Sequence, residues 1–151
     1  MASNDFNLSD FLPYRLSVLA ARMSKELSKV YGEPYGLSTP EWRVLTHVAH
    51  REKMSVREIR VSVSLDKPSV SRAVAKLEKA GLLAKSTCAR DHRLLEIEVT
   101  EKGLEVFHRI APEALAFEEA VLNAFSAQER EQLDALLTRL QDVLDAQTGT
   151  G

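Results

Sequence analysis

The sequence predicts a mainly α fold with one small β-hairpin, and three observations carry that expectation. Apolar residues recur at helical spacing along most of the 151 residues. Aromatic residues make up only 6%, with five Pro and six Gly, so strand and turn formers are scarce. One stretch, Leu95-Glu96-Ile97-Glu98-Val99, instead alternates with the period of a half-exposed strand. The length suits one ordinary domain, and 44% hydrophobic with 28% charged residues is a globular composition.

A first helix is expected from about Leu8 to Tyr31. Leu12, Leu16, Leu19, Met23, Leu27 and Val30 recur every three or four residues as one apolar stripe. Ser9 suits its N-cap and Pro13 its first turn. So long a stripe needs a partner, and another subunit is a natural one. Gly32, Pro34 and Gly36 then break the chain. Ser38-Thr39-Pro40-Glu41 reads as a capping box, hydroxyl and carboxylate each satisfying the other residue's free amide. It opens a second helix that buries Trp42, Leu45, Val48 and Ala49. Ser55-Val56-Arg57-Glu58 repeats the signal before a short third helix with Val56, Ile59 and Val63 inward. After Ser64 and Leu65, Asp66 is placed to cap a fourth helix, Lys67 to Ala80, with Pro68 in its first turn. Val70, Val74 and Leu77 face inward, Gly81 supplies a left-handed end, and Leu82 and Leu83 lead back into the body.

The period changes next. Residues 83–87 pair with Leu95, Ile97 and Val99 in a hairpin whose polar tip runs from Cys88 to Arg93. Thr100 starts a long helix with Leu104, Phe107, Ile110 and Leu115 inward, which Pro112 is expected to kink. Ser126-Ala127-Gln128-Glu129 is a third capping box. The last helix carries Leu133, Leu136, Leu137, Leu140, Val143 and Leu144, and the tail from Gln147 is expected to fray.

The formal net charge of −2 leans against a protein that coats nucleic acid. Its distribution says more. Residues 1–34 are balanced and residues 35–103 carry +4, with +6 concentrated in 51–93, while residues 104–151 carry −6. A solvated face is the plain reading of such runs; an anion-binding middle is the functional one. The single Cys88 allows neither an intrachain disulfide nor a Cys-rich zinc site. The first ten residues carry Asp5 and Asp10 and no base, and no apolar run reaches the roughly 20 residues of a membrane span. A cytoplasmic protein without a membrane partner is expected.

The third and fourth helices, joined by a short turn, form a helix-turn-helix, and the hairpin after them adds a wing. The fold expected is thus a winged helix-turn-helix flanked by long helices, with the fourth helix entering the major groove of double-stranded DNA. Its outer surface presents Lys67, Ser69, Ser71, Arg72, Lys76 and Lys79. Arg72 has the planar fork that matches guanine O6 and N7, and hydroxyls donate or accept at base edges. Lys76 and Lys79 are placed to contact phosphate, which positions without specifying. Ala73 and Ala75 add little bulk and permit close approach. An ordinary amphipathic helix explains the lysines but not so well the hydroxyl-rich start. At the wing tip Lys85, Arg90, His92 and Arg93 surround Asp91; arginine there suits the narrow minor groove, although Asp is also common in plain turns.

Several motifs resemble those of the MarR family of winged-helix transcriptional regulators. They are Pro40-Glu41-Trp42-Arg43-Val44-Leu45, Ser69-Val70-Ser71-Arg72 with Leu77-Glu78-Lys79-Ala80-Gly81-Leu82, Asp91-His92-Arg93, and Thr100-Glu101-Lys102-Gly103. The likeness spans nearly the whole chain. It implies one domain over 1–151, with 35–103 as the DNA-binding part and 1–34 plus 104–151 as helical dimerisation part. It also implies a homodimer on a pseudo-palindromic operator, with a small ligand or an oxidant relieving repression. By the same resemblance Ser69, Ser71 and Arg72 read bases, and Arg93 enters the minor groove supported by Asp91. His92 stands where the family commonly has arginine, and histidine is mostly neutral at pH 7.

The family often binds phenolic or aromatic carboxylates between its two parts. Tyr14, Arg15, Trp42 and Arg43 are suitable types for such a pocket, rings to stack and cations for a carboxylate, although rings of this kind more often serve a core or interface. Cys88 beside the basic wing is a candidate redox sensor or an incidental thiol. His47 and His50 share a helix face without further ligands in sequence. A protein-interaction module built on the same fold is the alternative function. No HExxH, GxSxG or phosphate loop suggests an enzyme, and no cofactor is expected.

Overall fold

The computed structural model describes residues 5–87 and 95–149. A 3-10 turn, Leu8–Asp10, precedes α1 (Leu12–Tyr35), α2 (Thr39–Arg51), β1 (Lys53–Ser55), α3 (Val56–Val63), α4 (Lys67–Lys79), β2 (Leu83–Thr87), β3 (Leu95–Val99), α5 (Glu101–Leu122) and α6 (Ala127–Thr148). The chain divides into two compact units, one ending at Ala114 and one beginning at Leu115, so their boundary falls within α5. No helix among the described residues is long and apolar enough to cross a membrane.

The first unit holds the core. Val44, Leu45 and Val48 of α2, Ile59 and Val63 of α3, and Val70, Val74 and Leu77 of α4 bury their helical stripes together. Met54, Leu83 and Ile97 close that cluster from the sheet, and Tyr31 from α1 and Ile110 from α5, both fully buried, complete it. The sheet is antiparallel in the order β1-β3-β2. Met54 and Lys85 flank Ile97 on either side, so the one fully buried residue of β3 is held in register from both edges.

Capping chemistry sets most boundaries. Ser55 with Glu58 and Ser126 with Glu129 form reciprocal capping boxes. At Ser38 the outcome differs: Glu41 N–H donates to Ser38 Oγ at 3.3 Å, but the Glu41 carboxylate accepts from the Ser38 hydroxyl instead of the Ser38 amide. Glu41 is turned inward and only 7% exposed.

Other expectations are corrected. Ser9 does not cap α1; Asn7 Oδ1 accepts from the Ser9 amide to close the 3-10 turn, and α1 starts at Leu12 behind Phe11. The helix passes Gly32 and Pro34 and stops only at Gly36, whose φ of 67° is the left-handed geometry that glycine adopts without strain. Pro34 sits in the last turn, where few bonds remain to be lost. Trp42 is half-buried, not buried. Leu95, at the outer end of β3, and Leu115, on α5, are exposed. The helix α6 continues through Gln147, with the Thr148 hydroxyl bonded back to the Leu144 carbonyl at 3.2 Å. Pro112 lies within α5.

The second unit is the end of α5 with α6. Arg130 joins them, its guanidinium donating to both Glu119 oxygens at 3.0 and 3.1 Å and its Nε to the Leu122 carbonyl at 3.1 Å. Leu133, Leu136, Leu137, Val143 and Leu144 of α6 are all exposed.

Candidate nucleic-acid interface

The reading surface is built from the turn upward. Ser64 ends α3 in the left-handed region, φ 54°, and Leu65 packs against the core. Asp66 then caps α4, its carboxylate accepting from the Ser69 amide at 3.0 Å. The Ser69 hydroxyl donates to the other Asp66 oxygen at 2.6 Å and accepts from Arg72 Nη2 at a longer 3.4 Å. These bonds, led by the Ser69 hydroxyl and followed by the Ser69 amide, hold the Asp66 carboxyl below the usual carboxylate range; the Arg72 charge adds a smaller share.

With Val70, Val74 and Leu77 buried, the face left to solvent carries Lys67, Ser71, Arg72, Lys76 and Lys79, while Ser69 is half-buried at its edge. Ala75 is exposed as expected, but Ala73 is in the core at 3% exposure; three residues after Val70 and one before Val74, it falls on the buried stripe. Lysines in the last turn also suit the negative end of the helix dipole, a structural reason for their position independent of any ligand.

The far end of α4 is fastened firmly. Gly81, φ 78°, donates to the Glu78 carbonyl and Leu82 to the Leu77 carbonyl, both at 2.9 Å, which is a Schellman stop. The start of α5 completes it: the Thr100 hydroxyl donates to the Gly81 carbonyl at 2.6 Å and Lys102 Nζ to the Ala80 carbonyl at 3.0 Å. On the wing, Lys85 is exposed and its Nζ lies 3.9 Å from Glu78 Oε1, linking β2 to α4. Cys88, Arg90, Asp91, His92 and Arg93 lie outside the described residues.

A cleft of about 170 Å³ runs between the start of α2 and α4, lined by Ser38, Pro40, Glu41, Ser69, Arg72, Ala73 and Lys76. Sequence reasoning did not place Glu41 there. Its only signal is the capping-box spacing, which gives a position in the first turn but not the inward rotation.

The residues proposed for an effector are not gathered by any described contact. Tyr14 and Arg15 are exposed near the start of α1, and Arg43 is exposed on α2. Trp42 stacks against Tyr31 at 5.4 Å and Phe107 at 6.3 Å between ring centroids. The Tyr31 hydroxyl is bonded to Thr39 Oγ1 at 2.9 Å. His47 Nδ1 meets the Arg43 carbonyl at 2.8 Å, and no three potential metal ligands cluster among the described residues.

A basic, hydroxyl-bearing helix on a rigid three-helix core, with a hairpin beside it, resembles known proteins. The MarR family's sequence profile matches residues 35–94. A MarR/EmrR family transcriptional regulator from Acinetobacter sp. ADP1 is 28% identical with a TM-score of 0.84, over 93% of this chain and 99% of that one. A MarR family transcriptional regulator from Streptomyces coelicolor, solved in complex with DNA, is 22% identical with a TM-score of 0.80, over 92% of this chain and 89% of that one. Bordetella bronchiseptica BpsR, whose DNA binding is regulated by 6-hydroxynicotinic acid, is 18% identical with a TM-score of 0.82, over 92% of this chain and 99% of that one.

Proposed function

We propose that this chain, whose residues 35–94 match the MarR family profile, is a ligand-responsive repressor of that family of winged-helix transcriptional regulators, binding a pseudo-palindromic operator as a homodimer. The observation that carries this reading is the outer face of α4: Lys67, Ser71, Arg72, Lys76 and Lys79 stand exposed on a helix whose other face is locked in the core. Arg72 and Ser71 contact base edges, with Ser69 beside them; Lys67, Lys76 and Lys79 contact phosphates. Arg90 and Arg93 of the wing follow the adjacent minor groove, with Asp91 supporting Arg93. Exposed leucines on α6 and the exposed Leu12, Leu19 and Met23 of α1 support self-association. In the dimer two basic modules sit about 34–36 Å apart, one turn of DNA.

For the effector, an aromatic carboxylate is the class we favour, with Tyr14, Arg15, Trp42 and Arg43 as its contacts. The regulation of BpsR by a hydroxylated aromatic acid supports that class by analogy. Fluorescence anisotropy with DNA from upstream of the protein's own gene tests the main reading. Binding is expected to weaken steeply with salt and to fall on Arg72→Ala and Arg93→Ala. Unchanged affinity in both variants overturns it. Thermal-shift screening of aromatic acids tests the effector, and stabilisation by none of them removes that class.

A further inference from the structure

The residue between the cap and the reading arginine is unusually committed. Ser69 is half-buried, its proton is given to Asp66 at 2.6 Å, and its oxygen faces Arg72 at 3.4 Å. A serine hydroxyl has one proton, so while Asp66 holds it, Ser69 has no donor left for a base. Asp66, Ser69 and Arg72 are three residues apart in succession, so they follow one edge of the helix. Arg72 has no ion pair within 4.0 Å among the described residues, and it shares its cleft with Lys76, a like charge. Among the described residues, the Ser69 oxygen is the side-chain atom that accepts a hydrogen bond from its guanidinium, while the Asp66 carboxylate attracts it at longer range.

We propose that Ser69 is a positioning residue: anchored on Asp66, its oxygen holds the Arg72 guanidinium at the reading face, so that Asp66, Ser69 and Arg72 read one base pair as a unit. An arginine side chain loses considerable rotamer freedom when it docks on a guanine, and a side chain already held beside its target loses less. Specificity at that base pair therefore depends on a hydroxyl that does not touch it. This rests on the DNA-reading role proposed above for Arg72.

The test uses the full chain and double-stranded DNA selected by the wild-type protein from a randomised pool. Affinities are measured for every single-base change in one half-site, for wild type, S69A, S69T, R72A and S69A/R72A, with thermal melting to confirm folding. Ser69→Ala leaves the amide that Asp66 caps in place, so the helix start is retained. Arg72→Ala is expected to flatten discrimination at one base pair by about tenfold or more. Ser69→Ala is expected to flatten the same base pair several-fold, S69T to restore it, and the double variant to match R72A alone. The proposal is overturned if S69A acts at a different base pair, adds fully to R72A, or leaves discrimination untouched. If R72A itself changes no base preference, the reading role of Arg72 fails first, and the positioning role with it.

Discussion

Gly103 stands in the first turn of α5, where helix propensity alone favours alanine. The tertiary contact reverses that preference. A Cβ there would lie 2.1 Å from the Leu82 carbonyl oxygen and 2.9 Å from Val99 Cγ2, and the first of these is backbone that cannot swing aside. Gly103→Ala is expected to cost about 1–3 kcal/mol, the range for overpacking, as a lowered denaturation midpoint with unchanged slope. Thr100, just before α5, accepts from the Gly103 amide at 3.0 Å while its hydroxyl donates to the Gly81 carbonyl. Thr100-Glu101-Lys102-Gly103 was legible as a motif; that its small residue and its lysine fasten α4 to α5 was not.

At the scale of elements, caps were the most legible feature and strands the least uniform. Ser55→Ala removes half of a reciprocal box and is expected to destabilise by about 1 kcal/mol in chemical denaturation. Bonds from Ser55, first its backbone amide, hold the Glu58 carboxyl below its usual range, and the same holds for Glu129 with Ser126. A carboxyl depressed on folding contributes stability that is fully present above its unfolded value and is lost as pH falls through its folded value. The denaturation midpoint should therefore hold steady near neutrality and decline below about pH 4, and Glu58→Gln should shrink that decline. A decline of equal size in Glu58→Gln would remove the box from the account. In contrast, β1 left no trace in the sequence reading. Three residues are too few to show a period, and Met54 is buried only because Ile97 arrives opposite it from more than forty residues away. The pairing of β2 with β3 was legible because alternation and a polar tip lie close together in the chain.

For the whole molecule, the informative quantity is where charge and apolar surface lie. Residues 51–93 carry +6 and residues 104–151 carry −6 within a net of −2. Operator binding is expected to weaken linearly in log–log salt plots, by about 0.9 per phosphate neutralised. Leu136 and Leu137 of α6 are 59% and 51% exposed, an apolar surface uncommon on a solvated helix. For the homodimer proposed above, Leu137→Glu is expected to shift the chain from dimer to monomer in sedimentation velocity. Losing the linked second module should weaken operator binding about a hundredfold. A variant that stays dimeric and binds as wild type would place the association surface elsewhere.

The sequence by itself determined the order of the helices, the caps at Ser55, Asp66 and Ser126, the strand pair after α4 and the buried stripe of α4, because each depends on residues near one another in the chain. It also located the basic middle that the net charge concealed. Only the tertiary structure decided which polar groups are spoken for. It turned Glu41 inward, stacked Trp42 against Tyr31 and Phe107, and bound the end of α4 to the start of α5. Spacing specifies a face of a helix, whereas a side chain's hydrogen bonds depend on whatever other segment is packed against that face.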